Sequence, residues 1–160
     1  MSRYYQSLLA KHGLNSQILD LRLLPSDFMT SDMYGKRSSK VQELIDQFVI
    51  DIEYFVFVLP EYNGGFPGIV KLFMDGMTPA HFYNKKAILV GLSSGRTGNI
   101  RGMDAFGNVL NYLQMEVLSK KVKLSSIESI LEREEIINEE SNVQLNLQIS
   151  KFIKHYLITS

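Results

Sequence analysis

The chain has 160 residues, of which 45% are hydrophobic, and its 17 basic and 17 acidic side chains balance to a formal net charge of zero. This length and composition predict one domain, residues 1–160, with a substantial core. The balanced charge argues against partners such as nucleic acid or an anionic membrane. The absence of cysteine excludes disulfides, cysteine-ligated zinc and iron–sulfur clusters.

Few of the usual catalytic or targeting patterns occur in the sequence. His12, His81 and His155 have no metal-ligand spacing, so no metal site is expected. The nucleophile elbow, the P-loop and the zinc-protease helix motif are all absent from the sequence. No apolar run is long enough to span a membrane, and no signal peptide is recognisable, so we expect a soluble cytoplasmic protein.

The first third of the chain predicts a helix, a short strand and a second helix. Residues 4–12 place apolar side chains on one helical face, and Gly13 is a natural C-cap. Gln17–Leu21 (QILDL) is typical of a short strand, and the polar residues 30–39 predict a mobile loop. Residues 41–52 give the cleanest amphipathic pattern of the chain, which Ser38 or Ser39 can cap.

The middle of the chain predicts a strand, a loop and a helix. The run Tyr54–Leu59, ended by Pro60, is typical of a strand that is buried on both faces. The glycine-rich residues 60–68 follow it as a loop. The next helix should present one buried face at i, i+3, i+4 and i+8, which consists of Ile69, Leu72, Phe73 and Met77.

The second half of the chain repeats this arrangement. Lys86–Leu92 predicts another buried strand, and residues 93–99 form a second polar, glycine-rich loop before a helix. Val117–Leu124 predicts the last strand, and residues 125–141 could be a loop or a short helix. The final helix should bury Leu145, Ile149, Phe152, Ile153 and Tyr156.

The predicted elements therefore alternate from helix to strand and end with a helix, with four strands in total. Such alternation predicts a parallel sheet with right-handed crossovers and helices on both faces, a three-layer α/β/α architecture. The carboxyl ends of parallel strands lie at one edge of the sheet, where open α/β sheets bind ligands. Both glycine-rich loops should lie at that edge.

The first of these loops carries a specific resemblance. The string LPEYNGGFPGIVKLFMD resembles the PEYNGS-P-hydrophobic-K-N-x-x-D signature of the NAD(P)H-dependent FMN reductase family, which includes FMN, quinone, azo and chromate reductases. Lys71 and Asp75 stand where the family pattern has its lysine and aspartate. The resemblance implies a flavodoxin-like fold and extends over about residues 1–112.

One part of the family pattern is missing. The resemblance implies a first strand and a phosphate-binding loop of the G-S-x-R-x-x-S type, and both would precede Met1. Three explanations remain open for this difference. The biological start could lie upstream, the chain could be a shortened relative that repacks in an oligomer, or it could be a degenerate copy that no longer binds flavin.

The resemblance also implies where FMN would bind. Glu61 to Gly64 would line the pyrimidine edge of the flavin, with Tyr62 beside the ring, and the second loop would face the other side. The implied cofactor-binding residues are Pro60, Glu61, Tyr62, Asn63, Gly64, Ser93, Ser94, Gly95 and Gly98. Asn-Gly is also common turn chemistry and small polar residues occur in any surface loop, so a purely structural role remains open.

The resemblance implies an FMN-dependent oxidoreductase in which no side chain needs to act as acid or base. NADPH or NADH would reduce bound FMN, which would pass electrons to free flavin, a quinone or another small acceptor. Arg96 and Arg101 either attract the nucleotide phosphates or are solvated surface residues. A homodimer or homotetramer is implied. The alternative function is that of a non-catalytic flavodoxin-like binding module. His81 is expected to be a surface or interface histidine with no catalytic role.

Overall fold

The computed structural model describes residues 1–33 and 37–158, and most of these form helices or strands. The helices are α1 (Ser2–Lys11), α2 (Phe28–Ser31), α3 (Ser39–Ile45), α4 (Gly68–Asp75), α5 (Ile100–Tyr112), α6 (Ile127–Ile130) and α7 (Glu139–Phe152). Single π-helical turns, Asp46–Ile50 and Ile153–Leu157, extend α3 and α7, and 3-10 turns form at Leu21–Leu23 and Pro79–His81. The strands are β1 (Tyr54–Pro60), β2 (Lys86–Leu92), β3 (Glu116–Val117), β4 (Val122–Leu124), β5 (Leu131–Glu132) and β6 (Glu135–Ile136).

Strands β1 to β4 form one parallel sheet with β2 at its centre. Strand β1 pairs with β2 from Tyr54 opposite Lys86 to Pro60 opposite Leu92. Both β3 and β4 pair with the other edge of β2. Strands β5 and β6 form a separate antiparallel hairpin. The parallel sheet between helices confirms the predicted α/β class and its flavodoxin-like architecture.

Helices cover both faces of the sheet because the side chains of β2 alternate between two apolar clusters. Ala87 and Leu89 pack with α3, α4 and α5, whereas Ile88 and Val90 pack with α1 and α7. All four side chains are fully buried. The near-continuous apolar run of β2 therefore follows from its position between two helical layers.

Local capping explains where several helices begin and end. The Ser38 hydroxyl accepts a hydrogen bond from the Val41 N–H, as expected for an N-cap serine. Asn138 caps α7 in the same way, by accepting from Ser141 N–H at 2.8 Å. Gly13 follows α1 with a φ of 77°, a conformation that glycine adopts without strain.

Gln17–Leu21 is not a strand, so the prediction for this segment is wrong. Residues 14–20 have no regular structure, and Leu21 begins a 3-10 turn. A strand needs a neighbour for its backbone N–H and C=O groups, and within residues 1–33 and 37–158 none pairs with this segment. Leu19 and Leu21 instead pack directly against the apolar cluster under α3 and α4.

The last predicted strand, Val117–Leu124, is split into β3 and β4. Ala87 pairs with Val117 and Val90 pairs with Val122, so the outer strand holds two extra residues between these pairs. The interruption leaves backbone carbonyls without ladder partners. The buried Gln148 side chain satisfies two of them, because its Nε2 donates to Leu89 O at 2.9 Å and to Lys120 O at 2.6 Å.

Two predictions of burial also differ from the structure. Strand β1 is half-buried rather than enclosed on both faces, because in the described part of the chain it pairs with β2 alone. Phe73 of α4 and Met77 after it are buried as predicted, but Val70 and Met74 are buried as well, while Leu72 is only partly buried and Ile69 is exposed. Since one residue turns a helix by about 100°, the buried face is rotated by one position from the predicted one.

Residues 30–39 and 125–141 also contain helices or strands that the sequence did not specify. The predicted mobile loop, residues 30–39, includes residues 34–36, which lie outside the described residues, and its two ends belong to α2 and α3. Residues 125–141, which the sequence left open, form α6 and the β5–β6 hairpin. None of the helices within the described ranges is long and apolar enough to cross a membrane.

Candidate functional site

Two loops meet at the carboxyl edge of the parallel sheet. We call residues 60–67, which follow β1, the first loop, and residues 93–99, which follow β2, the second loop. The pairing of the strands continues into the first loop, because Glu61 N–H donates to Leu92 O at 2.8 Å. The Thr97 hydroxyl donates to the Glu61 carboxylate and joins the two loops directly. The topology thus brings together the two groups of residues that the sequence singled out.

The tip of the first loop is a tight hairpin turn. Tyr62 and Gly65 exchange both backbone hydrogen bonds, each at 3.0 Å. Asn63 and Gly64, between them, have φ values of 51° and 77°. Positive φ at both central positions defines a type I′ turn, for which Asn-Gly is the preferred sequence. The turn explains why these two residue types stand here.

This turn leaves backbone donors available for a ligand. Among the described residues, the N–H groups of Asn63 and Gly64 donate to no backbone or side-chain acceptor. Both residues are exposed, and Tyr62 beside them is 63% exposed. A methyl group added at Gly64 would meet nothing within 4 Å. The tip is therefore open to a flat ligand that accepts hydrogen bonds.

The second loop is held from below by its own serine. Ser93 is buried; its hydroxyl donates to Gly95 O at 2.9 Å and accepts from Gly98 N–H at 2.8 Å. Its backbone N–H donates to Leu124 O at 3.0 Å. These bonds use the Ser93 hydroxyl inside the loop. The geometry thus gives Ser93 a supporting position beneath the surface of the site.

The remaining second-loop residues differ in their surroundings. Ser94 is exposed and donates to the Glu128 carboxylate at 2.5 Å, a bond that lowers the pKa of Glu128. Gly95 is exposed with open space where a side chain would stand. Gly98 is buried with a φ of 57°, and an added methyl group would lie 2.6 Å from Lys123 Cβ. A ligand can therefore lie close to the backbone at Gly95, whereas the absence of a side chain at Gly98 allows the loop to pack closely against β4.

One arginine lies in the second loop, and another follows it in the first turn of α5. Arg96 and Arg101 are exposed, and within residues 1–33 and 37–158 neither side chain makes a hydrogen bond or an ion pair. Lys71 and Asp75 of α4, by contrast, pair with each other at 2.6 Å across one helical turn. The two arginines are thus free to meet an anionic ligand, while Lys71 is engaged in an ion pair.

Sequence comparison decides the family. The model of the NADPH-dependent FMN reductase family matches residues 1–128, which is most of the chain. This chain belongs to that family. It is accordingly an NAD(P)H-dependent oxidoreductase with FMN and NAD(P)H as its cofactors.

Solved structures of oxidoreductases share the fold of this chain. FerB, a flavoenzyme NAD(P)H:(acceptor) oxidoreductase from Paracoccus denitrificans, is 19% identical with a TM-score of 0.73, and the match covers 96% of this chain and 85% of FerB. An oxidoreductase from Corynebacterium diphtheriae is 16% identical with a TM-score of 0.73, covering 96% and 82% of the two chains. The apo form of EmoB, an NADH:FMN oxidoreductase, is 16% identical with a TM-score of 0.70, covering 94% and 78%.

The residues at the carboxyl edge have the chemistry that the isoalloxazine ring of FMN requires. The isoalloxazine ring offers carbonyl and ring-nitrogen acceptors along one edge, and the Asn63–Gly64 turn offers unpaired N–H donors. The N-terminus of α5, which ends the second loop, adds partial positive charge there. Within the described ranges, no cluster of three or more histidine or carboxylate side chains could hold a metal ion.

His81 lies away from this FMN reductase site. It ends the 3-10 turn before β2, whereas both loops follow the carboxyl ends of strands. Burial, followed by the nearby charges of Arg37 and Lys85, lowers the pKa of His81 below its ordinary value. Its position before β2, at the opposite end of the strand from the second loop, is unsuited to proton transfer at the two loops.

Sequence reasoning missed one residue that belongs to the site. Asn99 is fully buried, and its Nδ2 donates to Leu59 O at 2.8 Å. It therefore links the end of β1 to the start of α5 beneath both loops. The sequence placed Asn99 at the end of a polar loop but gave no sign of its burial, because a lone asparagine after Gly98 is typical of any surface turn.

Proposed function

We propose that this chain holds FMN between the first and second loops and reduces it with NADPH or NADH, and that the electrons pass to free flavin, a quinone or another small acceptor. The observation that carries this proposal is the exposed Asn63–Gly64 turn, whose unpaired N–H groups stand beside a second open glycine loop. Bound FMN supplies hydride acceptance and two-electron release. Residues 1–160 would work as one domain.

The chain's own residues would bind and orient the ring. The N–H groups of Asn63 and Gly64 would donate to the pyrimidine edge, and the open space at Gly95 would admit the other side of the ring. The Tyr62 ring, exposed beside the turn, would pack against the isoalloxazine. Glu61 would keep the turn in place through its bond from Thr97. No side chain need exchange a proton.

The first test is a titration of the purified chain with FMN and, separately, with riboflavin, followed by visible absorbance. A saturable change in the flavin band that NADPH or NADH then bleaches would support the proposal. The ratio of the two affinities reports what the phosphate contributes, because riboflavin differs only by lacking it. No binding of either flavin would contradict the proposed function and favour the non-catalytic module.

Replacing Arg96 or Arg101 by alanine should weaken use of the nicotinamide nucleotide. A hydrogen bond to a charged group contributes about 1.5–3 kcal/mol, so KM for NADPH should rise roughly tenfold or more while kcat changes little. Steady-state kinetics with saturating FMN would measure both constants. Arg3→Ala, which removes an exposed arginine from α1, is the control. An unchanged KM in both loop variants would leave Arg96 and Arg101 as solvated surface residues.

We also propose that the chain forms a homodimer through the surface around the site. Tyr62, Ile69 and Ile100 are large, apolar and exposed, and they stand on the first loop, the first turn of α4 and the first turn of α5. All three positions lie after the carboxyl ends of strands, and a contiguous apolar patch beside a ligand site would be typical of an interface. Light scattering of the FMN-loaded protein should give the mass of a dimer, and a monomer's mass would contradict the proposal.

A further inference from the structure

The junction between β1 and α5 contains a buried asparagine with an uncommon backbone. Asn99 is 0% exposed, and its φ of 60° lies in the left-handed region. Its side chain donates to Leu59 O at 2.8 Å, and its own backbone carbonyl accepts from Met103 N–H at 3.0 Å. One residue thus ties the last turn of the second loop to the strand that leads into the first loop.

Helix α5 touches the first loop at Gly102. A methyl group added to Gly102 would lie 2.6 Å from Phe66 N, 2.7 Å from Gly65 C and 2.1 Å from Asn99 Oδ1. The first two atoms belong to backbone and cannot rotate away as a flexible side chain can. Glycine is therefore required here for the first turn of α5 to lie directly against the first loop.

Further contacts prevent either loop from shifting alone. The Phe66 ring packs on Phe106 of α5 with centroids 5.1 Å apart. On its other side the second loop is bonded to the segment after β4, since Ser126 N–H donates to Gly95 O at 2.8 Å and the Ser125 hydroxyl donates to Arg96 O at 2.8 Å. The Asn99–Gly102 junction adds contacts beneath the loops, from the end of β1 and the first loop to the start of α5.

We propose that Asn99 and Gly102 are positioning residues that set the distance between the two flavin loops. The flavin ring is flat and rigid, so the donors of the first loop and the open space at Gly95 fit it together only at one loop spacing. Asn99 Oδ1 is buried and has no hydrogen-bond partner within the described ranges, a costly arrangement that packing alone does not require. This inference rests on the proposed function, because it assigns the spacing to FMN binding.

Gly102→Ala and Gly107→Ala form a matched pair that tests the inference. Both changes put alanine into α5, where it favours the helix. The added methyl group at position 107 would have only Lys121 Nζ nearby, at 3.7 Å, which is ordinary contact. We expect Gly102→Ala to weaken FMN binding about tenfold and to alter the visible spectrum of the bound flavin, and Gly107→Ala to bind within about twofold of the wild type.

Asn99→Gly provides a second variant that introduces no clash. Glycine adopts the same positive φ, so only the bond to Leu59 O is lost. We expect weaker FMN binding with a wild-type far-UV circular dichroism spectrum. If Gly102→Ala fails to fold, the FMN affinity of Asn99→Gly alone tests the inference. Wild-type affinity in the folded variants would overturn the inference, because the spacing would then not depend on this junction.

Hydrogen exchange without flavin separates this inference from the proposed function. Glu61 N–H and Gly65 N–H are both bonded in the first loop, so their exchange reports its order. Faster exchange of these amides in Asn99→Gly than in Gly107→Ala supports the spacing role even if the wild type fails to bind FMN. Equal exchange in the two variants would overturn the spacing role whether or not FMN binds.

Discussion

Replacing Phe106 by alanine is expected to lower the free energy of unfolding by about 3–5 kcal/mol, the usual cost of removing a fully buried aromatic ring. Phe106 is 0% exposed, and its ring centroid lies 4.9 Å from that of Phe57 and 5.1 Å from that of Phe66. Alanine would leave a cavity between β1, α5 and the first loop. Urea denaturation followed by circular dichroism would measure the change.

The predicted loss for Phe106→Ala is a large part of the total, since the free energy of unfolding of a domain this size is about 5–15 kcal/mol. The control is Tyr112→Ala, which removes another aromatic ring from α5 at a position that is 83% exposed. That change should stay within about 0.5 kcal/mol. A loss below about 1 kcal/mol for Phe106→Ala would mean that the site closes over the cavity, and would contradict the central role of this ring.

Replacing Asn63 by proline should weaken FMN binding roughly 10- to 100-fold, which corresponds to losing about 1–3 kcal/mol from two backbone hydrogen bonds. Proline fixes φ near −65°, whereas Asn63 has a φ of 51°. The type I′ turn therefore cannot form, and the N–H groups at its tip would be lost or misdirected. Since the turn is exposed, the rest of the fold should persist. Absorbance titration with FMN measures the effect.

Asn63→Gly is the matched comparison for this prediction. Neither variant carries the asparagine amide, but glycine keeps the positive φ and the backbone donor. A large difference in FMN affinity between the glycine and proline variants would therefore report the turn itself. Similar affinities in the two variants would show that the backbone conformation at this position is unimportant, and would contradict the proposed role of the Asn63–Gly64 turn.

The candidate site depends mainly on backbone groups, and this affects which substitutions matter. The donors proposed for the flavin are the N–H groups of Asn63 and Gly64, so the Asn63 side chain is dispensable so long as φ remains positive. The side chains that matter most, Asn99 and Phe106, are buried below the loops. We therefore expect changes beneath the loops to affect FMN affinity more than most exposed substitutions on the loop surface.

Local sequence patterns predicted the elements that depend on local chemistry. The run of β2 and the helical face of α7 were recognisable because burial against the core demands apolar residues at fixed spacing. The Asn63–Gly64 turn was also recognisable, since positive φ at successive positions restricts the residue types. The string around it carried the family resemblance that the match over residues 1–128 confirms.

The same patterns did not predict which strands pair or which face of a helix packs against the core. Gln17–Leu21 is a short, mainly apolar run typical of a strand, but it has no strand beside it in the described part of the chain. In α4 the residues Ile69 and Val70 are both apolar, so the sequence could not tell which of them faces the core. At the split between β3 and β4, the carbonyls of Leu89 and Lys120 accept hydrogen bonds from Gln148, which lies in α7, far along the chain.

By itself, the sequence determined most of the helices and strands, the two glycine-rich loops and the presence of turn chemistry at Asn63–Gly64, because these depend on neighbours along the chain. The tertiary structure alone decided that Thr97 reaches Glu61, that Asn99 reaches Leu59, and that Gly102 lies against Gly65 and Phe66. These contacts join residues about 40 positions apart, and a pattern within one segment carries no information about the distance between two segments. The physical reason is that loop spacing depends on how helices and strands pack, which local propensity does not specify.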